Sequence, residues 1–127
     1  MSKSAVRTEA APAPFQGAPY NQAIVANGFV FVSGQGPLDP AGKIGEGDIA
    51  TATQQTFDNL AAILEAAGSS LDKVVKASVL LADLGEFAAM NEVYKERMPA
   101  PHPARTTIQA AALPGGISVE IDVIALA

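Results

Sequence analysis

Two stretches near the C-terminus, Ala104 to Ala112 and Ile117 to Ala127, each alternate polar and apolar residues. Successive side chains of a strand point to opposite faces, so such alternation demands a sheet with one wet and one dry side. With Leu113-Pro114-Gly115-Gly116 as a connecting loop, Ala112 pairs with Ile117. Gln109 then faces Glu120, Thr107 faces Asp122 and Arg105 faces Ile124. In this register Arg105, Thr107, Gln109, Ser118, Glu120 and Asp122 share one face. Ile108, Ala110, Ile117, Val119, Ile121 and Val123 share the other. A slip of one residue would mix the two sets.

The remaining elements follow from local signals. Asn27-Gly28 separates the β-prone runs Gln22 to Ala26 and Phe29 to Ser33, and both residues tolerate the positive φ of a tight hairpin. Pro37 to Gly47, rich in glycine and proline, reads as a loop. Apolar residues recur at helical spacing from Asp48 to Ala67, with Asp48 as cap and Gly68 as terminator. Val74 to Ala82 reads as a strand. A second helix runs from Leu84 to about Met98, capped by Asp83 with Glu86 and striped by Leu84, Phe87, Met90, Tyr94 and Met98. Pro99, Pro101 and Pro103 forbid its continuation. The order is β-β-α-β-α-β-β, an α+β domain over residues 15–127. Two amphipathic helices cannot cover both faces of such a sheet, so they belong on one face, leaving the other for a partner.

Composition removes several functions. The 127 residues, 49% apolar and 17% charged, suffice for one buried core. Residues 1–14, rich in Ala, Pro and Ser, read as a loosely ordered tail. A net charge of -5 and the lack of any Lys/Arg cluster argue against nucleic acid as a partner. No apolar run is long enough for a signal peptide or a membrane span. With no cysteine, disulfides, thiolate metal sites and a cysteine nucleophile are excluded, and a cytoplasmic location is expected. One histidine and scattered carboxylates assemble no metal site, and no cofactor is expected.

The polar side of the last two strands admits two readings. It faces water, as half of an antiparallel sheet can, or it lines a site in which Arg105 holds an anion and Glu120 handles water or a proton. In the second reading Arg105 and Glu120 lie about four residues apart along the ladder, roughly 13 Å at strand rise. A three- or four-carbon substrate cannot span that within a simple hairpin. Long side chains or a bulge would close part of the gap; otherwise the two groups come from different subunits. Asp122 reads as structural, Tyr94 as core and His102 as a loop residue.

Several short motifs resemble the Rid (YjgF) family in consistent order from about Pro19 onward. They are Ser33-Gly34-Gln35, Asn59-Leu60, Glu65-Ala66-Ala67-Gly68, Asn91 with Tyr94, Pro103-Ala104-Arg105 and Val119-Glu120-Ile121. The resemblance implies a chorismate-mutase-like domain that assembles as a homotrimer with clefts between subunits. It implies hydrolytic deamination of small 2-imino acids, such as 2-iminopropanoate and 2-iminobutanoate. Arg105 corresponds to the residue that binds the substrate carboxylate and Glu120 to the one that orients water. Tyr20, Ser33, Gly34, Asn91 and Thr107 correspond to other cleft positions, with Gly34 and Thr107 contributing mainly backbone. Two departures stand out. Ala18 is inserted between Gly17 and Pro19-Tyr20, and Thr106-Thr107 follow the arginine where some members carry a smaller residue and then cysteine. Rival readings are a carboxylate-binding regulatory trimer without turnover, and a ribonuclease or translation inhibitor.

Overall fold

Asn27 and Gly28 turn the chain with φ of 51° and 81°, joining β2 (Ala23–Ala26) to β3 (Phe29–Gln35) in register Ala26 opposite Phe29. This computed structural model describes residues 2–127. The first helix, α1 (Ile49–Ala66), starts as its sequence predicts, with the Asp48 carboxylate accepting from Thr51 N at 2.9 Å. It ends before Gly68, whose φ is 81°. After β4 (Val74–Leu81) the expected long helix begins late. Leu84–Glu86 forms a 3-10 turn, and α2 proper spans Phe87–Arg97. Asp83 caps that turn by accepting from Gly85 N at 2.8 Å, a local bond that competes with an α-helical start. Leu84 and Phe87 are accordingly exposed, while Met90, Tyr94 and Met98 are buried. Strands β5 (Ala104–Gln109) and β6 (Val119–Leu126) complete the chain.

The N-terminal segment is not the loose tail its composition suggested. Ser4–Val6 forms β1, antiparallel to β2, and Val6 and Ala11 are buried. The buried Gln22 side chain holds the residues after β1. Its Oε1 accepts from Thr8 N at 2.8 Å, and its Nε2 donates to the carbonyls of Thr8, Ala11 and Pro12 at 3.0, 3.2 and 2.9 Å. One amide thus satisfies four backbone groups of a segment with no helix of its own.

The sheet order is β1-β2-β3-β6-β4-β5, and this overturns the expected β5–β6 hairpin. Strand β4 lies between them, antiparallel to β6 and parallel to β5. The unit β4–α2–β5 is a crossover, which delivers the next strand parallel to the first. Alternation reports the faces of β6 correctly but cannot name the partner of β5. Arg105, Thr107 and Gln109 align with Ala77, Val79 and Leu81, the row turned toward the helices. Thr106 and Ile108 align with Ser78 and Leu80 on the open face, where Asp122 and Glu120 also lie. The single polar face predicted from sequence is therefore split in two.

Both helices pack on one face of the mixed sheet, as expected. Phe57, Leu60, Ile63 and Leu64 of α1 join Met90 and Tyr94 of α2 and Met98 just beyond it, over Val30, Val79, Ile121 and Val123. The Tyr94 ring meets Phe57 edge-on, with centroids 5.7 Å apart. The other face carries no helix, and Phe31, Ile108 and Leu126 there are more than two-fifths exposed.

Candidate functional site

The residues singled out from sequence gather in two places. On the open face Glu120 lines a cleft of about 390 Å³ together with Tyr20, Ser33, Gly34, Phe15 and Pro114. A register shift in β3 between Val32 and Gln35 sets Ser33 and Gly34 off the regular ladder beside β6. The Ser33 hydroxyl donates to Asn21 O at 2.6 Å, and the Tyr20 hydroxyl accepts from Phe15 N at 2.6 Å. Both side chains are thereby pinned to loop backbone. Gly34 is needed for space: a Cβ there would stand 2.5 Å from Glu120 Oε2.

Burial raises the Glu120 pKa above its usual 4.5, and the neighbouring Asp122 charge adds to the rise. Asp122 is likewise raised by burial, opposed by a hydrogen bond from Ser78 and by the charge of Lys76. A half-buried carboxyl with a raised pKa is a better base near neutral pH than an exposed one.

The second group forms around Arg105, on the helix side of edge strand β5. The Arg105 guanidinium lies 4.6 Å from the Tyr94 ring centroid and 5.5 Å from that of Phe87, seven residues earlier on the chain. No carboxylate neutralises it: the ion pair among the described residues joins Arg97 to Asp58 at 2.9 Å. Asn91, Glu92, Lys95, His102 and Pro103 border the same open cleft of about 300 Å³, where Glu92 makes no ion pair with Arg105. Asn91 Oδ1 and the Tyr94 hydroxyl are buried there without a hydrogen-bond partner among the described residues. Burial raises the Tyr94 pKa while the Arg105 charge draws it back. His102 is tied to its own loop through Nδ1 and Met98 O at 2.9 Å. Thr107 follows Arg105 in the same row of β5. An unpaired cation on aromatic faces, open to the cleft, is equipped to take a carboxylate.

The two groups do not meet within one chain. Glu120 is level with Leu80, and Arg105 with Ala77 on the far side of β4. The offset is roughly 10 Å along the strands and roughly 10 Å across them, with the two side chains on opposite faces. The expectation of a shared face fails. A small ligand touching both groups would need two surfaces brought together.

Three residues that shape the site are not among the site residues read from the sequence, although Asn59 stands in one of the family motifs. Gln22 reads in the sequence only as the first residue of a strand, although a glutamine opening an apolar run is a candidate for buried amide work. Asn59 donates to Gly36 O at 3.0 Å and Leu38 O at 2.8 Å, holding the loop behind Gly34. Phe15 sits at the edge of the Ala- and Pro-rich N-terminal segment and belongs to no periodic pattern.

A mixed sheet with both helices on one face, its charged groups divided between two surfaces, defines an α+β protein with two separate candidate clefts. More narrowly, the chain belongs to the Rid (YjgF) family, residues 8–127 matching the family described as endoribonuclease L-PSP. A RutC family protein of Pyrococcus abyssi is 46% identical over 98% of both chains. Reactive Intermediate Deaminase A of Arabidopsis thaliana, a chloroplastic protein, is 44% identical over 98% of this chain and 66% of its own length. The crystal structure of Escherichia coli TdcF with bound serine superposes with a TM-score of 0.89, at 35% identity over 98% of both chains.

Proposed function

We propose that this protein hydrolyses reactive 2-imino acids to 2-keto acids and ammonia, as a homotrimer whose clefts lie between subunits. One observation carries the reading: Arg105, unpaired and held on two aromatic rings, and Glu120, with its raised pKa, lie on opposite faces of one chain. A small substrate can use both only if a second copy supplies one of them. The exposed Phe31, Ile108 and Leu126 on the helix-free face offer apolar surface for such packing. The name of the Arabidopsis relative and the serine held by TdcF support a small amino-acid-derived ligand.

In this reading the Arg105 guanidinium donates two parallel hydrogen bonds to the substrate carboxylate. Tyr20, Ser33 and the Gly34 backbone border the reacting carbon, and Asn91 lines the cleft beside Arg105. Glu120 takes a proton from water as the water oxygen bonds to the imine carbon, the C=N π pair moves to nitrogen, and Glu120 passes the proton to that nitrogen. It then carries the carbinolamine hydroxyl proton to the departing nitrogen. Collapse of the carbinolamine breaks the C–N bond and releases ammonia. Imines hydrolyse unaided in water, so orientation and one proton relay are sufficient.

Arg105→Ala should lower kcat/KM for 2-iminopropanoate hydrolysis at least about 100-fold, since two charge-assisted hydrogen bonds of about 1.5–3 kcal/mol each are lost. Competition with semicarbazide measures this. Retained activity in a variant of unchanged oligomeric state would refute the assignment. The family description raises RNA cleavage as another activity, but a net charge of -5 is unsuited to a polyanion. Cleavage of RNA by wild type but not by Glu120→Gln would favour it.

A further inference from the structure

Past Gln35 the chain leaves its pairing with β6, and Pro37 has no N–H to offer, so the stretch 36–38 needs partners from outside the sheet. Asn59 of α1 supplies them. Its Nδ2 donates to Gly36 O at 3.0 Å and Leu38 O at 2.8 Å, and its Oδ1 accepts from Gln55 Nε2 at 3.1 Å, one helical turn earlier. Both amide hydrogens and the oxygen are engaged, so this buried side chain has one orientation. The same stretch meets the residues at the start of β6 through two glycines. A Cβ added to Gly36 would stand 2.6 Å from Ile117 Cδ1 and 3.4 Å from Val119 O, and one added to Gly34 would stand 2.5 Å from Glu120 Oε2. Gly34, Gly36, Leu38 and Glu120 also border one small recess of about 70 Å³.

We infer that Asn59 is a positioning residue for Glu120: by anchoring Gly36 and Leu38 to α1 it holds Gly34 against the Glu120 carboxylate and fixes where that carboxylate sits. The inference rests on the reading of Glu120 as the proton carrier of imine hydrolysis and adds the device that orients it. The blander role of such an amide is to satisfy two carbonyls and stabilise the fold. The placement of its bonds goes further. They fall two residues past the glycine that touches the base, and neither glycine has room for a methyl group. The other bonds of the stretch, Leu38 N to Gly36 O and Gly45 N to Pro37 O at 2.9 Å each, stay within the loop. Without Asn59 the loop is free to lift, the recess widens, and water reaches the carboxyl that burial now holds above its usual pKa. The ionisable groups facing that carboxyl are Asp122, two residues on, and Tyr20 across the cleft, with Lys76 acting on Asp122. Asn59 carries no charge, so its removal acts on Glu120 through the loop and not through the field.

The test makes two measurements on Asn59→Ala. One is steady-state hydrolysis of 2-iminopropanoate, read by semicarbazide competition; the other is the carbon-13 carboxyl titration of Glu120 by NMR, assigned with Glu120→Gln. We expect kcat to fall about tenfold or more, since misplacing a reacting group by about 1 Å costs about 100-fold. KM should stay within about twofold, because Arg105 still holds the carboxylate, and Glu120 should titrate at lower pH than in wild type. Ile63→Val is the control, a buried core position one turn further along α1. It should lower Tm while leaving kcat and the Glu120 titration as in wild type. Should Asn59→Ala fail to fold, Gln55→Ala decides by the same two readings, because it removes only the group that orients the Asn59 amide. Its shifts should be smaller and of the same sign. An unmoved Glu120 titration in the folded variant, or an equal shift in Ile63→Val, overturns the inference. If wild type accelerates no imine while Asn59→Ala still moves the titration, the positioning role stands and the proposed reaction falls.

Discussion

The guanidinium of Arg105 rests 4.6 Å from the centre of the Tyr94 ring, and this contact couples the edge strand β5 to the core-facing side of α2. Tyr94 is 5% exposed and packs edge-on against Phe57, so the ring is a firm platform for the cation. A cation–π contact of this kind contributes about 0.5–2 kcal/mol and also restricts where the charge sits.

Tyr94→Phe keeps the ring and should therefore retain the platform, losing only a buried hydroxyl that lies beside the Arg105 guanidinium. Tyr94→Leu should raise KM about fivefold, or ~1 kcal/mol, with a smaller change in kcat. Steady-state kinetics on both variants separate platform from packing, since a purely structural role would lower Tm without raising KM.

Gly34→Ala tests the contact that sets the Glu120 carboxylate. The added Cβ would lie 2.5 Å from Oε2 and 2.7 Å from the carboxyl carbon, so the Glu120 side chain must swing away. Its end is flexible, so stability should change little. A displaced base of about 1 Å costs about 100-fold in rate. Paired melting and turnover measurements would show a loss of kcat at nearly constant Tm.

The pH dependence has a definite sign. Folding raises the Glu120 and Asp122 pKa values, so the native state binds protons more tightly than the unfolded chain. Both groups are protonated in either state at low pH, and stability falls as pH rises from the ordinary carboxylate range through the raised values, then levels off. Glu120→Gln should flatten that decline and be at least as stable as wild type at pH 7, while losing turnover. Denaturant titrations from pH 4 to 7 check the slope. In the active enzyme the acid limb of the kcat/KM profile should lie above 4.5, the usual glutamate value.

Gln22→Ala removes four hydrogen bonds that seat the 8–12 segment. Leaving such groups unpaired costs about 2 kcal/mol after water takes part of their place. Hydrogen exchange should accelerate at Thr8 and across β1, with β4 and β6 unaffected, because the change is confined to one edge of the sheet.

The residues alone determined the elements bounded by strong local signals, though not the late start of α2. Asn27-Gly28 demands its turn, Asp48 and Gly68 bound α1, and the alternation of Val119 to Val123 sorts β6 into a dry and a wet side. The short motifs also sufficed to place the chain in its family. Which strand lies beside which was decided by tertiary structure. Alternation is the same whether β5 pairs with β6 or with β4, and it does not say which of two faces meets the helices. The crossover through α2 settled both, carrying Arg105 from the side of Glu120 to the side of Tyr94. The N-terminal strand was hidden for a related reason. Ser4–Val6 has little propensity of its own and becomes a strand only because β2 offers an edge and Gln22 supplies partners for the residues behind it.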